Sequence, residues 1–242
     1  MPQLHFYRLE FKYLLSASQY RSIRRELLIH MDHDPIVKKS ADHSYVVSSV
    51  YCDTPNFAHY REKIDGLKNR RKLRFRTYSL NALECPDIFL EIKRKKDAVI
   101  IKDRACIDYS TYTQLNADGY SVLIQDGRFP MDQKTLVEEF YWHLVRWNMS
   151  PRIRVVYNRE PLLGQYDGSF RVTLDREIFG SPADGLFSTY GDKCPTLPGW
   201  VVMEVKFNGL IPDWFHSIIQ RYNLFRVPAS KYCEAVRACN LF

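Results

Sequence analysis

The chain has 242 residues, 45% hydrophobic and 26% charged, which excludes global disorder and is enough for a generous core. Its formal charge of +7 favours anionic partners and leaves nucleic acid, phosphorylated metabolites and anionic lipid open. No stretch approaches the roughly 20 apolar residues of a membrane span, and the N-terminus lacks the apolar run of a secretion signal, so a cytoplasmic protein is expected.

A first strand carries Arg8, Glu10 and Lys12 at alternate positions. Ser16 then caps a helix running to about Met31, with Tyr20, Ile23, Leu27 and Leu28 as its apolar stripe and Arg21, Arg24 and Arg25 on the other side. The spacing predicts a strand over Tyr45–Tyr51 and a helix from Asp53-Thr54-Pro55 to about Ile64, stopped by Gly66. Strands follow at about Lys72–Tyr78, Ile88–Lys95 and Val99–Asp108, the last two joined in a hairpin around Lys96-Asp97. The pattern weakens to short helix and loop from Thr111 to Asp132. A helix is expected over Gln133–Asn148, striped by Leu136, Val137, Phe140, Tyr141, Leu144 and Val145 and ended by Pro151. Strands resume at about Arg152–Arg159, Ser169–Asp175 and Trp200–Phe207, with a Gly/Pro/Ser-bearing loop from Gly180 to Gly199. Helices near Pro212–Tyr222 and Ser230–Cys239 complete the chain. No linker, repeat or shift of composition marks a boundary, so residues 1–242 read as a single domain.

Six cysteines (Cys52, Cys85, Cys106, Cys194, Cys233, Cys239) include no C-x-x-C, and a chain of this size needs no staples, so reduced thiols are expected. The seven histidines show no metal-ligand spacing such as H-E-x-x-H.

Four strands share one pattern. Arg8/Glu10/Lys12, Arg74/Arg76, Glu91/Lys93 and Glu204/Lys206 alternate with apolar residues, so each set points to one side of its sheet. Adding Lys102/Arg104 and Arg171 puts about ten basic groups on that side, a density that repulsion disfavours unless a ligand or interleaved carboxylates compensate. With helices to cover the apolar side, the expected fold is α+β: a closed antiparallel β-barrel of about eight strands forming a polar tunnel, helices outside. The carboxylates Glu10, Glu91 and Glu204 read either as partners that orient the lysines or as ligands of Mn²⁺ or Mg²⁺ bridging to phosphate oxygens. Stacking aromatics are not interleaved with the cations, so nucleic acid is not the expected partner.

The segments R-L-E-F-K-Y, K-L-R-F-R-T-Y, F-L-E-I-K-R-K followed by K-D-R, R-V-V-Y-N-R, F-R-V-T-L-D-R, V-M-E-V-K and A-S-K-Y resemble, in order, the motifs of the VTC domain. That is the catalytic module of the vacuolar transporter chaperone complex and its bacterial relatives, within the triphosphate tunnel metalloenzymes of CYTH-like type. The resemblance implies that Lys12, Arg74, Arg76, Lys93, Lys102, Arg104, Arg159, Arg171, Lys206 and Lys231 line a tunnel and clamp phosphates, that Tyr157 and Ser230 add hydroxyl donors, and that Glu204 holds the metal. It implies an enzyme passing the terminal phosphoryl group of ATP to a growing polyphosphate chain, with a separate membrane partner for export. A triphosphatase of the same fold and a non-catalytic polyphosphate or inositol phosphate binding module are the alternatives. Arg8 stands where the hydrolase branch has the first acid of E-x-E-x-K, and Pro228 stands where the family often has a lysine. Strict alternation sets Tyr157 and Arg159 opposite Arg152 and Arg154, and the resemblance favours the former pair on the tunnel side.

Overall fold

Alternating charged and apolar residues build several of the strands. The computed structural model describes residues 8–38, 40–84, 87–97, 99–125, 127–183, 185–187 and 193–242. Cys85 and part of the Gly180–Gly199 loop lie outside them. Among the described residues the strands are β1 (Arg8–Ser16), β2 (Met31–His33), β3 (Tyr45–Asp53), β4 (Arg70–Thr77), β5 (Asp87–Lys96), β6 (Val99–Asp108), β7 (Ser150–Gly164), β8 (Arg171–Pro182), β9 (Cys194–Pro195) and β10 (Trp200–Asn208). The helices are α1 (Ala17–His30), α2 (Ala58–Ile64), α3 (Tyr109–Asp118), α4 (Met131–Arg146), α5 (Asp213–Arg221) and α6 (Lys231–Ala238). The class is α+β, as expected. The strands β2 and β9 are too short to show a period, and the sequence reading missed both.

The hydrogen-bonded order is β1-β10-β8-β7-β3-β4-β5-β6, with β2 on β7 and β9 on β8. The ladders β1/β10, β10/β8, β2/β7, β3/β4, β4/β5 and β5/β6 are antiparallel. β1 and β6 end the order, and no pairing between them is seen among the described residues. The closed barrel is therefore corrected to an open sheet. Alternation dictates which face a side chain takes, but not whether two edge strands meet.

The chain divides into two compact units, the first formed by Met1–Tyr45, Tyr157–Ile178 and Pro195–Ser230, the second by Val46–Val156, Phe179–Cys194 and Lys231–Phe242. In the first, Tyr13 and Leu15 of β1, Met203, Val205 and Phe207 of β10, and Val172 and Leu174 of β8 pack with Ile23 and Leu27 of α1 and Phe215 and Ile218 of α5. α1 starts where its capping box is: the Gln19 amide donates to Ser16 Oγ, and the Ser16 amide donates to Gln19 Oε1.

In the second unit, Leu73 and Phe75 of β4, Leu90 and Ile92 of β5, and Ala105 and Ile107 of β6 pack against Val137, Phe140 and Leu144 of α4 and Tyr112 and Leu115 of α3. α2 begins at Ala58, later than expected, because Phe57 adopts a left-handed conformation (φ 56°) that cannot continue back toward Pro55. The Asp53 carboxylate, buried at the end of β3, accepts the amides of His59 (3.0 Å) and Tyr60 (3.1 Å) and so supplies the first turn. The region expected to be weakly structured after Thr111 holds α3, capped by Asp108 through the Thr111 amide (2.7 Å), and a 3₁₀ turn over Tyr120–Ile124. No helix of the described residues is long and apolar enough to cross a membrane.

Gly180 of β8 lets α6 approach. A Cβ there would lie 2.8 Å from Ala235 Cβ and 3.2 Å from Cys239 Sγ. Gly180→Ala is therefore expected to cost about 1–3 kcal/mol of stability, read as a lower denaturation midpoint, because the helix must shift to admit one methyl. An unchanged midpoint would show that this approach is not tight.

Candidate functional site: two basic clusters with buried carboxylates

The register of the second unit sets its charged face in rows. Lys72 of β4 pairs with Lys93 of β5, and Lys93 with Lys102 of β6. In the next row Tyr51 pairs with Arg74, Arg74 with Glu91, and Glu91 with Arg104; in the third, Ser49 pairs with Arg76 and Arg76 with Phe89. Directly opposed like charges destabilise a sheet. Three lysines in one row therefore mark a surface that gains from an anion.

Glu91 sits under this surface. Its carboxylate is almost wholly buried, with Arg74 on Oε2 (2.5 and 2.6 Å), Lys102 on Oε1 (2.5 Å) and Arg76 at 3.8 Å. Burial pushes its pKa up, but Arg74, Arg76 and Lys102 outweigh burial and hold the carboxyl well below the usual range. Arg74 also donates to the Tyr51 hydroxyl (2.9 Å), and Arg76 to Ser49 Oγ (2.9 Å). Burial raises the Tyr51 phenol, yet Arg74, Arg76 and Lys72 bring it down to about 8. For Lys102, burial lowers the pKa, Glu91 raises it and Arg74 and Arg76 lower it again, leaving it at about 8. Arg104 is exposed, its guanidinium 4.6 Å from the Phe89 ring centre.

The first unit carries a separate cluster around Glu204. In register, Lys12 of β1 pairs with Glu204 of β10, and Glu204 with Thr173 of β8; Glu10 pairs with Lys206, and Lys206 with Arg171. Lys12 Nζ lies 3.3 Å from both Glu10 Oε1 and Glu204 Oε1, while Arg159 Nη2 (3.3 Å) and Lys206 Nζ (3.8 Å) approach Glu204 Oε2. Arg159 is locked by two bonds to the buried Asp175 (2.7 and 2.8 Å), with its guanidinium 5.3 Å from the buried Tyr157 ring. Burial would lower its pKa, but Asp175, Tyr157 and Glu204 raise it well above the ordinary value. Lys12 also donates to the Ala229 carbonyl (3.2 Å), and the Val227 amide donates to the Lys12 carbonyl, so the segment leading to the buried Ser230 lies along β1. Arg171 is exposed at the start of β8 and donates to the Gly168 carbonyl. Lys231, in the second unit, is buried at the start of α6.

The question of parity in β7 resolves by partner. Arg159 meets Asp175 and Glu204. Arg154 instead donates to Ser48 Oγ (3.1 Å), and Ser48 is the neighbour of Ser49, which accepts from Arg76. Adjacent strand residues face opposite ways, so Arg154 is off the face of Arg74 and Arg76.

Among the described residues no three His, Cys, Asp or Glu side chains gather as a metal cage. The two buried glutamates differ in what they have left to offer. Glu91 Oε2 accepts from Arg74, while Oε1 is ion-paired with Lys102 without hydrogen-bond geometry, so a metal there would have to displace a cation. Lys12, Arg159 and Lys206 approach Glu204 at 3.3–3.8 Å, and the buried Thr173 Oγ1 in its row has no hydrogen-bond partner among the described residues. A carboxylate is the kind of hard oxygen donor that Mn²⁺ or Mg²⁺ takes.

Lys72, Tyr51, Ser49, Asp175 and Thr173 belong to these clusters, and sequence reasoning did not single them out. Lys72 and Tyr51 share the parity of their strands' site residues, a signal that was available. Thr173 and Asp175 likewise share the parity of Arg171, but that Thr173 stands beside Glu204 and Asp175 meets Arg159 shows only in the structure.

The fold and site define an α+β protein whose antiparallel sheet ranks arginines and lysines over buried glutamates. The chain belongs to the VTC domain family, whose model matches residues 7–240. No curated protein sequence matches it. Among solved structures, a candidate adenylate cyclase from Bacillus halodurans superposes with a TM-score of 0.53 at 11% identity, over 93% of this chain and 95% of that one. The PH1819 protein from Pyrococcus horikoshii OT3 aligns over 96% of this chain and 98% of its own, with a TM-score of 0.48 and 14% identity. At such identities the likeness to the first speaks for the fold alone.

Lys102 loses its charge as pH rises through about 8. Tripolyphosphate affinity measured by calorimetry is expected to fall about tenfold between pH 7 and 9, and, in a Tyr51→Phe background that removes the phenol titrating in the same range, Lys102→Arg, which stays charged, to flatten that decline. The same decline in both proteins would remove Lys102 from the binding surface.

Proposed function

We propose that this chain is an ATP-dependent polyphosphate polymerase that transfers the terminal phosphoryl group of ATP to the end of a growing chain. The observation that carries the reading is the ladder of the second unit, where Lys72, Lys93 and Lys102 stand in register beside Arg74 and Arg76. Arginines offer planar pairs of donors to phosphate oxygens and lysines act as point charges, the mixture that a triphosphate or a phosphate chain requires. Membership of the VTC domain family supports the same reading.

In the reaction, the bond between the terminal phosphorus of ATP and its bridging oxygen breaks, an oxygen at the chain end forms the new bond, and ADP leaves. The acceptor oxygen is already an anion near neutral pH, so no side chain has to remove a proton. Water as acceptor would need a base, and the carboxylates of Glu91 and Glu204 both lie against cations. Arg74, Arg76, Lys93 and Lys102 hold phosphate oxygens in the second unit. Lys12, Arg159 and Lys206 do so in the first, while Asp175 fixes the Arg159 fork. A Mn²⁺ or Mg²⁺ ion held by Glu204 and phosphate oxygens would neutralise charge on the transferring group. A membrane partner for export belongs to the same proposal.

Purified protein given ATP and Mn²⁺ is expected to make chains that a gel sizes and an exopolyphosphatase removes. Glu204→Ala should lower chain formation at least about a hundredfold while tripolyphosphate binding stays measurable. Release of orthophosphate alone would decide for a triphosphatase, and binding without turnover for a sensing module. Undiminished synthesis by Glu204→Ala would remove the metal role from that residue.

A further inference from the structure

Strand alternation that aims Arg159 and Asp175 at Glu204 sends their neighbours Glu160 and Arg176 to the other face of the first unit's sheet. There α1 lies across the strands through Ile23 and Leu27, and beside this apolar contact opens a cavity of about 550 Å³. Four arginines line it, Arg21, Arg24 and Arg25 of α1 and Arg176 of β8, together with Tyr20, Asp42 and Glu160. That volume falls in the range of small-ligand sites, roughly 300–1,000 Å³.

Both carboxylates are already engaged. Glu160, almost wholly buried, accepts from Arg24 Nε (2.8 and 2.9 Å) and the Tyr20 hydroxyl (3.2 Å), with His33 Nε2 at 3.0 Å. Asp42 accepts from the side chains of Ser40 and Ser44 and the Ser44 amide, with Arg176 Nη2 at 3.6 Å. These acids therefore position Arg24 and Arg176 without saturating their donors. The buried Nε of Arg176 has no hydrogen-bond partner among the described residues. Arg21 and Arg25 are exposed one helical turn apart on the same side as Arg24. Four guanidinium groups against two carboxylates leave the cavity cationic.

From this we infer a second anion site, separate from the Glu91 and Glu204 clusters, for a small soluble oligophosphate of two or three linked phosphates. Arginine forks match several phosphate oxygens at once. Among the described residues Tyr20 is the one ring in the lining, and the Arg176 guanidinium lies 5.8 Å from its centre, so the lining offers far more phosphate donors than ring surface for a nucleoside base. The inference stands without the polymerase reading, since it uses none of the residues assigned to that reaction.

The test is arginine footprinting of the full chain with phenylglyoxal, read by mass spectrometry, with and without tripolyphosphate. Modification of Arg21 and Arg25 is expected to slow about tenfold, while Arg221, exposed on α5 outside the cavity, is unaffected. Calorimetry of the Arg21→Gln/Arg25→Gln double variant should show one equivalent of tripolyphosphate fewer than the parent, with an unchanged melting curve, and Arg176→Gln should weaken that equivalent about tenfold. Unchanged footprints at saturating tripolyphosphate would overturn the site. So would undiminished stoichiometry in the double variant. Protection by phosphatidylcholine vesicles carrying phosphatidylinositol 4-phosphate, without protection by tripolyphosphate, would also overturn it, by assigning the arginines to a lipid headgroup.

Discussion

Repulsion between like charges on a pleated surface is the constraint around which both units are organised. A row such as Lys72, Lys93 and Lys102 is unfavourable by itself, since cross-strand neighbours stand only about 5 Å apart. What makes the surface tolerable is an acid placed beneath it: Glu91 is gripped by Arg74 and Lys102 with Arg76 close by, and is held ionised against its own burial. One carboxylate offsets only part of the charge of Lys72, Lys93, Lys102, Arg74 and Arg76, so the surface stays cationic. A phosphate chain offers the complementary array of oxygens.

The first unit solves the same problem with a looser geometry. Asp175 takes the strong paired bonds of Arg159, which leaves Glu204 with longer contacts to Lys12, Arg159 and Lys206. Two glutamates with the same sequence signature, E-x-K on a strand, thus occupy different electrostatic positions. Glu91 acts as a counter-ion that organises cations. Glu204 stands in register with Thr173, whose buried hydroxyl has no hydrogen-bond partner among the described residues. Behind the same strands the buried Glu160 holds the half-buried Arg24, so buried acids grip arginines on both faces of this sheet.

Much of this was legible in the sequence because a period of two shows in any strand long enough to display it. The faces of β1, β4, β5 and β10 followed directly from Glu10/Lys12, Arg74/Arg76, Glu91/Lys93 and Glu204/Lys206. Register was not legible, because it arises from pairing between distant segments, so the lysine row and the approach of Asp175 to Arg159 could not be read. Closure was over-read, since an amphipathic sheet is equally served by free edges. Local backbone chemistry also overrode pattern: Phe57 in the left-handed region delays α2 past the expected Pro55, and the capping work falls to Asp53. The α1 arginines, on the side of the helix away from its apolar stripe, form a cluster only with Glu160 and Arg176, which pairing of distant strands brings beside them.

The counter-ion role of Glu91 is tested most directly by measuring stability and anion affinity together in Glu91→Gln. Because its pKa is depressed in the folded state, Glu91 contributes stability that is complete above the unfolded value of 4.5 and is lost as pH falls below it. The variant should lose about 3 kcal/mol at pH 7, with a smaller difference from the parent at pH 3, while binding tripolyphosphate without metal at least as tightly as the parent. Unaltered stability at pH 7, or metal-free affinity that collapses with the carboxylate, would contradict the account.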